Sequence, residues 1–116
     1  MHLPKRLWLC TVPTDMRKSY DGLIALISGG MSADPSSGEG YVFINRRRTQ
    51  MKCLYFDRGG YCIWAKRLER GLFKHTVRSD GQACRLSQTE FAALLEGFDV
   101  AIVRRRKRYE KPAQSL

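Results

Sequence analysis

Three runs of basic side chains have the types and spacing to do chemistry: Arg46-Arg47-Arg48, then Lys66-Arg67 with Arg70 close behind, then Arg104-Arg105-Arg106-Lys107-Arg108. Cationic groups clustered in this way bind anions. When several of them neutralise neighbouring phosphates, condensed counterions are released, and the resulting affinity ignores base sequence but falls steeply with salt. Arginine has a further capability, because its planar fork can form paired hydrogen bonds with a guanine edge. Composition points the same way. The 116 residues hold 21 Lys and Arg against 11 Asp and Glu, a formal charge of +10, with a pI near 9.9. A positive field of that size favours nucleic acid, ahead of an acidic protein or a membrane surface.

The common catalytic patterns are missing from the sequence. No Gly-rich phosphate loop ends in Lys-Ser/Thr, and no Gly-x-Ser-x-Gly elbow occurs. His75 is the one interior histidine, and it sits beside Lys74, a setting more usual for a surface residue than for a tuned base. Cys10, Cys53, Cys62 and Cys84 form no Cys-x-x-Cys pair, so neither metal nor other cofactor is expected and the thiols read as small core hydrophobes. The carboxylates have structural explanations: Asp15 and Glu90 near helix starts, Asp57 and Asp80 before glycine in turns. A metal-dependent nuclease would need a carboxylate cluster assembled only by folding. Trp8, Trp64 and Tyr55 could stack on bases, but their positions within strands favour core packing.

The elements that must position these groups follow from periodicity. Residues 5–11 read as a strand apolar on both faces, hence covered on both sides. After Pro13-Thr14, a helix is expected over residues 16–28, with Met16, Tyr20, Leu23, Ile24 and Ile27 as its buried stripe and Arg17, Lys18 and Asp21 outside. Gly29-Gly30 would end it. Strands are expected over 41–45, 50–56 and 61–67, the first two joined by a turn at Arg46-Arg47-Arg48-Thr49 and the last two by a two-residue turn at Arg58-Gly59. That register sets Tyr55 opposite Cys62 and Cys53 opposite Trp64, which argues against a Cys53–Cys62 disulfide. Residues 73–84 admit two short edge strands, and 99–103 a last one. Ser87-Gln88-Thr89-Glu90 has the form of a capping box opening a second helix, with Phe91, Leu94, Leu95 and Phe98 inward and Gly97 as its stop. The expectation is a single α+β domain over residues 1–103, an antiparallel sheet of four to five strands with two helices packed on one face. A basic, mobile C-terminal tail over 104–116 would follow.

Three segments resemble a known family. Pro13-Thr14-Asp15-Met16-Arg17-Lys18-Ser19-Tyr20-Asp21-Gly22-Leu23 is similar to its opening motif. Val42-Phe43-Ile44-Asn45-Arg46-Arg47-Arg48, Lys52-Cys53-Leu54-Tyr55-Phe56-Asp57 and the segment from Gly60 through Lys66-Arg67-Leu68-Glu69-Arg70-Gly71 resemble its central signature. Leu94-Leu95-Glu96-Gly97-Phe98-Asp99 resembles its closing motif. The family is the TnpB-type accessory protein, second open reading frame, of the insertion-sequence family sixty-six, distinct from the RNA-guided nuclease that shares the TnpB name. The resemblance spans roughly residues 7–99. It implies a protein needed for transposition beside a separate transposase that carries the catalytic acids, and it supplies no active site to carry over.

The expected function is therefore non-catalytic. The protein would bind double-stranded DNA, at the element's ends or non-specifically, through Arg46, Arg47, Arg48, Lys66, Arg67, Arg70 and the tail, alongside the transposase and other proteins of the same element. The alternative is a protein-interaction module that recruits or activates the transposase without touching DNA. No apolar stretch is long enough to cross a bilayer, and the run from Leu7 to Cys10 is too short for a signal-peptide core. A cytoplasmic, nucleoid-associated protein with no membrane partner is expected.

Overall fold

The computed structural model describes residues 2–74 and 83–97. Within them lie five strands, β1 (Leu7–Cys10), β2 (Gly40–Ile44), β3 (Gln50–Asp57), β4 (Gly60–Arg67) and β5 (Ala83–Leu86), and two helices, α1 (Tyr20–Ala25) and α2 (Gln88–Glu96). The strands form one sheet in the order β4-β3-β2-β1-β5. The expected α+β class is observed, with a mixed sheet. β2–β3, β3–β4 and β1–β5 pair antiparallel, while β1 and β2 run parallel, Leu7 beside Gly40 and Leu9 beside Val42. The long connection through α1 permits this, since parallel neighbours need a crossover and cannot be joined by a tight turn.

The helices do not share a face of the sheet, contrary to the one-face expectation. Leu7, Leu9, Val42, Ile44, Met51 and Cys53 cluster with Phe91 and Leu94 of α2. Their strand neighbours Cys10, Tyr41, Phe43 and Leu54 cluster with Leu23 of α1 and with Ile27. Because successive strand residues point to opposite sides, the two clusters lie on opposite faces, one helix over each. The physical reason was visible in β1 and β2, whose residues are apolar on both sides. A strand of that kind stays out of water only when both of its faces are covered. β1 and β2 also approach closely at Gly40, where a Cβ would lie 2.5 Å from Leu7 Cδ2.

The β3–β4 hairpin matches its expectation. Asp57 pairs with Gly60, Tyr55 with Cys62 and Cys53 with Trp64. Arg58 and Gly59 both have positive φ, 49° and 81°, as a two-residue turn suited to strand twist requires. All four cysteines are free thiols. Burial pushes the Cys53 thiol up to about 12, so it behaves as an apolar side chain. Trp64 packs against the α2-side cluster and Trp8 against the α1-side cluster.

α2 opens on the expected capping box. Ser87 Oγ accepts from the Glu90 N–H at 3.0 Å, and Glu90 Oε1 accepts from the Ser87 N–H at 3.0 Å. Gly97, with φ 68°, ends it. α1 begins four residues later than expected. Asp15, instead of capping a helix, accepts from the Arg17 N–H and binds the Arg17 guanidinium. Lys52 Nζ, reaching up from β3, donates to the carbonyls of Met16 (2.8 Å) and Lys18 (2.7 Å). Those carbonyls are thereby bound outside a helical ladder. α1 then runs on into a wider π-helical turn, Leu26–Gly30, closed by the Met31 N–H donating to Leu26 O at 2.9 Å.

Candidate nucleic-acid interface

The parallel β1–β2 pair decides where the basic groups meet. It brings the C-terminal ends of β1 and β2 to one end of the sheet, together with the start of β3 and the end of β4. Three segments far apart in sequence therefore converge there: the loop after β1 with Arg17 and Lys18, the β2–β3 tip with Arg46, Arg47 and Arg48, and the exit of β4 with Arg67 and Arg70. Backbone hydrogen bonds tie them together. The Thr14 N–H donates to Ile44 O (2.9 Å), the Leu68 N–H to Thr49 O (2.8 Å) and the Phe73 N–H to Arg48 O (2.7 Å). The acidic Asp57 ends β3 at the opposite end of the sheet, beside the Arg58-Gly59 turn.

The tip is built by Asn45. Its Oδ1 accepts from the backbone N–H groups of Thr49 (2.9 Å) and Gln50 (3.0 Å), and its carbonyl accepts from the Arg48 N–H (3.0 Å). Asn at the first position and two residues inside is the chemistry of a tight turn. Arg46 and Arg47 occupy the exposed centre and make no hydrogen bond among the described residues. Arg48 is half-buried with φ 60°, its carbonyl bound to Phe73. The tip thus presents two arginines outward and ties the third into the fold.

The other expected contacts divide differently. Lys66 is committed to structure, its Nζ donating to Leu95 O at 2.9 Å in the last turn of α2, where a cation is favoured by the exposed carbonyls. Arg67 is exposed and paired with Glu69 at 3.0 Å. Arg70 is exposed at the same end of the sheet. Arg104, Arg105, Arg106, Lys107 and Arg108 lie outside the described residues, as do His75, Asp80, Phe98, Asp99 and the short strand expected over 99–103. Replacing Lys66 with methionine should cost about 1.5–3 kcal/mol, the worth of a hydrogen bond to a charged group. Urea denaturation would register this, and any duplex affinity should keep its salt dependence.

Arg17 and Lys18 are not marked by sequence pattern, which puts them on the outside of a helix. An open cleft lined by Thr14, Asp15, Met16, Arg17, Asn45, Arg47 and Gln50 separates their loop from the tip. Arg17 is 92% exposed in its side chain yet held by both oxygens of Asp15, with Nε at 3.1 and 3.0 Å and Nη2 at 2.6 Å. The only sequence signal is Asp15-x-Arg17 shortly after a proline. The Arg17 hydrogen bonds, from side chain and then backbone, hold the Asp15 carboxyl down at about 2, against an ordinary 3.8. A depressed folded value means the pair's contribution is complete above the ordinary value and is lost as pH falls through the folded one. An NMR titration should place the Asp15 midpoint near pH 2, with the Arg17 Nε–H resonance shifting in step.

Among the described residues, no group of three or more His, Cys, Asp or Glu is disposed to hold a metal. No described helix is long and apolar enough to cross a membrane.

With this arrangement in view, comparison with known proteins supplies the biological class, an accessory protein of insertion-sequence transposition. The chain belongs to the IS66 Orf2 like protein family, which matches residues 5–105. It is 36% identical over 101 residues to the uncharacterized protein y4jC of Sinorhizobium fredii, covering 87% of this chain and 86% of the relative. It is 32% identical over 94 residues to the uncharacterized protein y4hO of the same organism, covering 81% of each. No solved structure matches the chain significantly.

Proposed function

We propose that the protein is a non-catalytic, DNA-binding accessory factor that acts beside the transposase of its element. The observation that carries this reading is the convergence of Arg17, Lys18, Arg46 and Arg47, all exposed, at one end of the sheet in a chain of net charge +10. Exposed cations on a turn whose backbone is already held by Asn45 reach phosphates without the chain being ordered first, so the entropic cost of binding falls on their side chains alone. Arg67 and Arg70 extend the same surface. The tail, residues 104–116 beyond a domain of 1–103, adds phosphate contacts by charge alone through Arg104, Arg105, Arg106, Lys107 and Arg108. A factor of this kind works in the cytoplasm on nucleoid DNA.

The test is fluorescence anisotropy of the full chain with labelled element-end duplex and a scrambled duplex, titrated with salt. Tighter binding to the element end, or equal binding that weakens steeply with salt, supports the reading. Absence of binding to both duplexes at low salt ends it.

A transposase-docking module is the second reading, and β4 favours it. β4 is eight residues long and stands at the margin of the sheet. Its outer edge has no strand neighbour among the described residues, and such an edge can take up an extended segment of another chain. Co-purification with the transposase that survives nuclease treatment would support docking. A pair that separates on nuclease treatment would mean that DNA bridges the two.

A further inference from the structure

We propose that Arg17 is a base-reading side chain, held by Asp15 so that the outward pair of N–H groups on its guanidinium meets the O6/N7 edge of a guanine in duplex DNA. This rests on the DNA-binding reading above.

A guanidinium has two edges that can grip two acceptors at once. In Arg17 the side-on edge, Nε and Nη2, is occupied by Asp15. The end-on edge, formed by Nη1 and the second N–H of Nη2, has no partner among the described residues and faces solvent. Paired acceptors at the spacing of guanine O6 and N7 suit this edge, the commonest specific contact between protein and base.

The support beneath the side chain is unusually complete for an exposed arginine. Asp15 Oδ1 also accepts the Arg17 N–H at 2.9 Å, so one carboxylate holds both the backbone and the fork. Lys52 pins the carbonyls on either side, Met16 and Lys18. Thr14, buried, is anchored to Ile44 by its N–H and to Val12 by its hydroxyl (3.3 Å). Immobilising a free arginine costs side-chain entropy on binding, and here that ordering is already present.

Charge separates reading from simple attraction. Asp15 and Arg17 together are neutral at ordinary pH, so the pair adds little to the counterion release on which phosphate affinity depends. Arg46 and Arg47 carry no such counter-charge among the described residues, and Arg47 lines the far side of the cleft. They supply the attraction, and Arg17 supplies discrimination.

The experiment is selection from a randomised duplex library by the full chain, by Arg17→Lys and by Asp15→Asn, with salt titrations on one fixed duplex. Lysine keeps the charge and removes the fork. The native protein is expected to enrich guanine at one position. Arg17→Lys should lose that preference by on the order of 10–100-fold, the worth of one paired base contact, while its salt slope on the fixed duplex stays the same. Asp15→Asn should lose part of it. Identical profiles for the native protein and Arg17→Lys would overturn this inference and leave DNA binding standing, as would binding with no base preference at all. Absence of duplex binding by the native protein would overturn both.

Discussion

Changing Arg46 and Arg47 together to alanine should make the dependence of duplex affinity on salt shallower by about 1.8 logarithmic units per decade, from roughly 0.9 for each phosphate that is no longer neutralised. At 0.1 M salt the same two phosphates correspond to a drop of on the order of 10–100-fold in affinity. Stability should hardly move. Both side chains are exposed at the centre of a turn whose backbone is held by Asn45, and surface substitutions of that kind stay within about 0.5 kcal/mol. Anisotropy across a series of salt concentrations reads the slope, and a melting curve controls for folding. An unchanged slope would remove the tip from the interface and return the functional question to β4 and the transposase.

Phe43→Ala should be strongly destabilising, costing about 3–5 kcal/mol as expected for truncating a buried aromatic ring. Phe43 is fully buried in the second strand, in the cluster formed with Leu23, Ile27 and Leu54. The total stability of a domain this size is about 5–15 kcal/mol, so one cavity there removes a large share of it. Urea unfolding followed by circular dichroism should show a much lower midpoint with the same slope. Tyr20→Ala is the matched control. Tyr20 is 46% exposed, and its removal should cost within about 0.5 kcal/mol. If the two variants behaved alike, α1 would not cover the sheet as described.

That pair of residues also shows what could be read in advance. Helical spacing puts Tyr20 in the same apolar stripe as Leu23 and Ile27, and only the last two are buried. The stripe assumes a helix starting at Met16, whereas Asp15 and Lys52 hold residues 16–18 in another conformation. Periodicity reports which face of a helix is apolar. It does not report that a lysine 34 residues beyond Lys18 will claim the carbonyls of Met16 and Lys18.

Local chemistry was sufficient wherever an element is defined by contacts within a few residues. The Arg58-Gly59 turn fixes the register of β3 against β4, Ser87 and Glu90 satisfy each other's N–H groups, and Gly97 ends α2, all from neighbours in the chain. The family was also legible, because its motifs are contiguous runs. The candidate site was half legible. Arg46 and Arg47 stand out as charge, but Lys66, equally prominent, holds the end of α2. Arg17, without a run around it, carries no such mark.

What tertiary structure alone decided was the direction of β1 against β2 and the side of the sheet on which each helix lies. Both depend on the path of the long connection through α1: strands apolar on both faces announce that each side is covered, but they look the same whichever helix covers which side. That one parallel pairing brings residues 17, 46, 47 and 67 to a single end of the sheet. The charge of this protein was written in its sequence; its gathering into one surface came from chain topology.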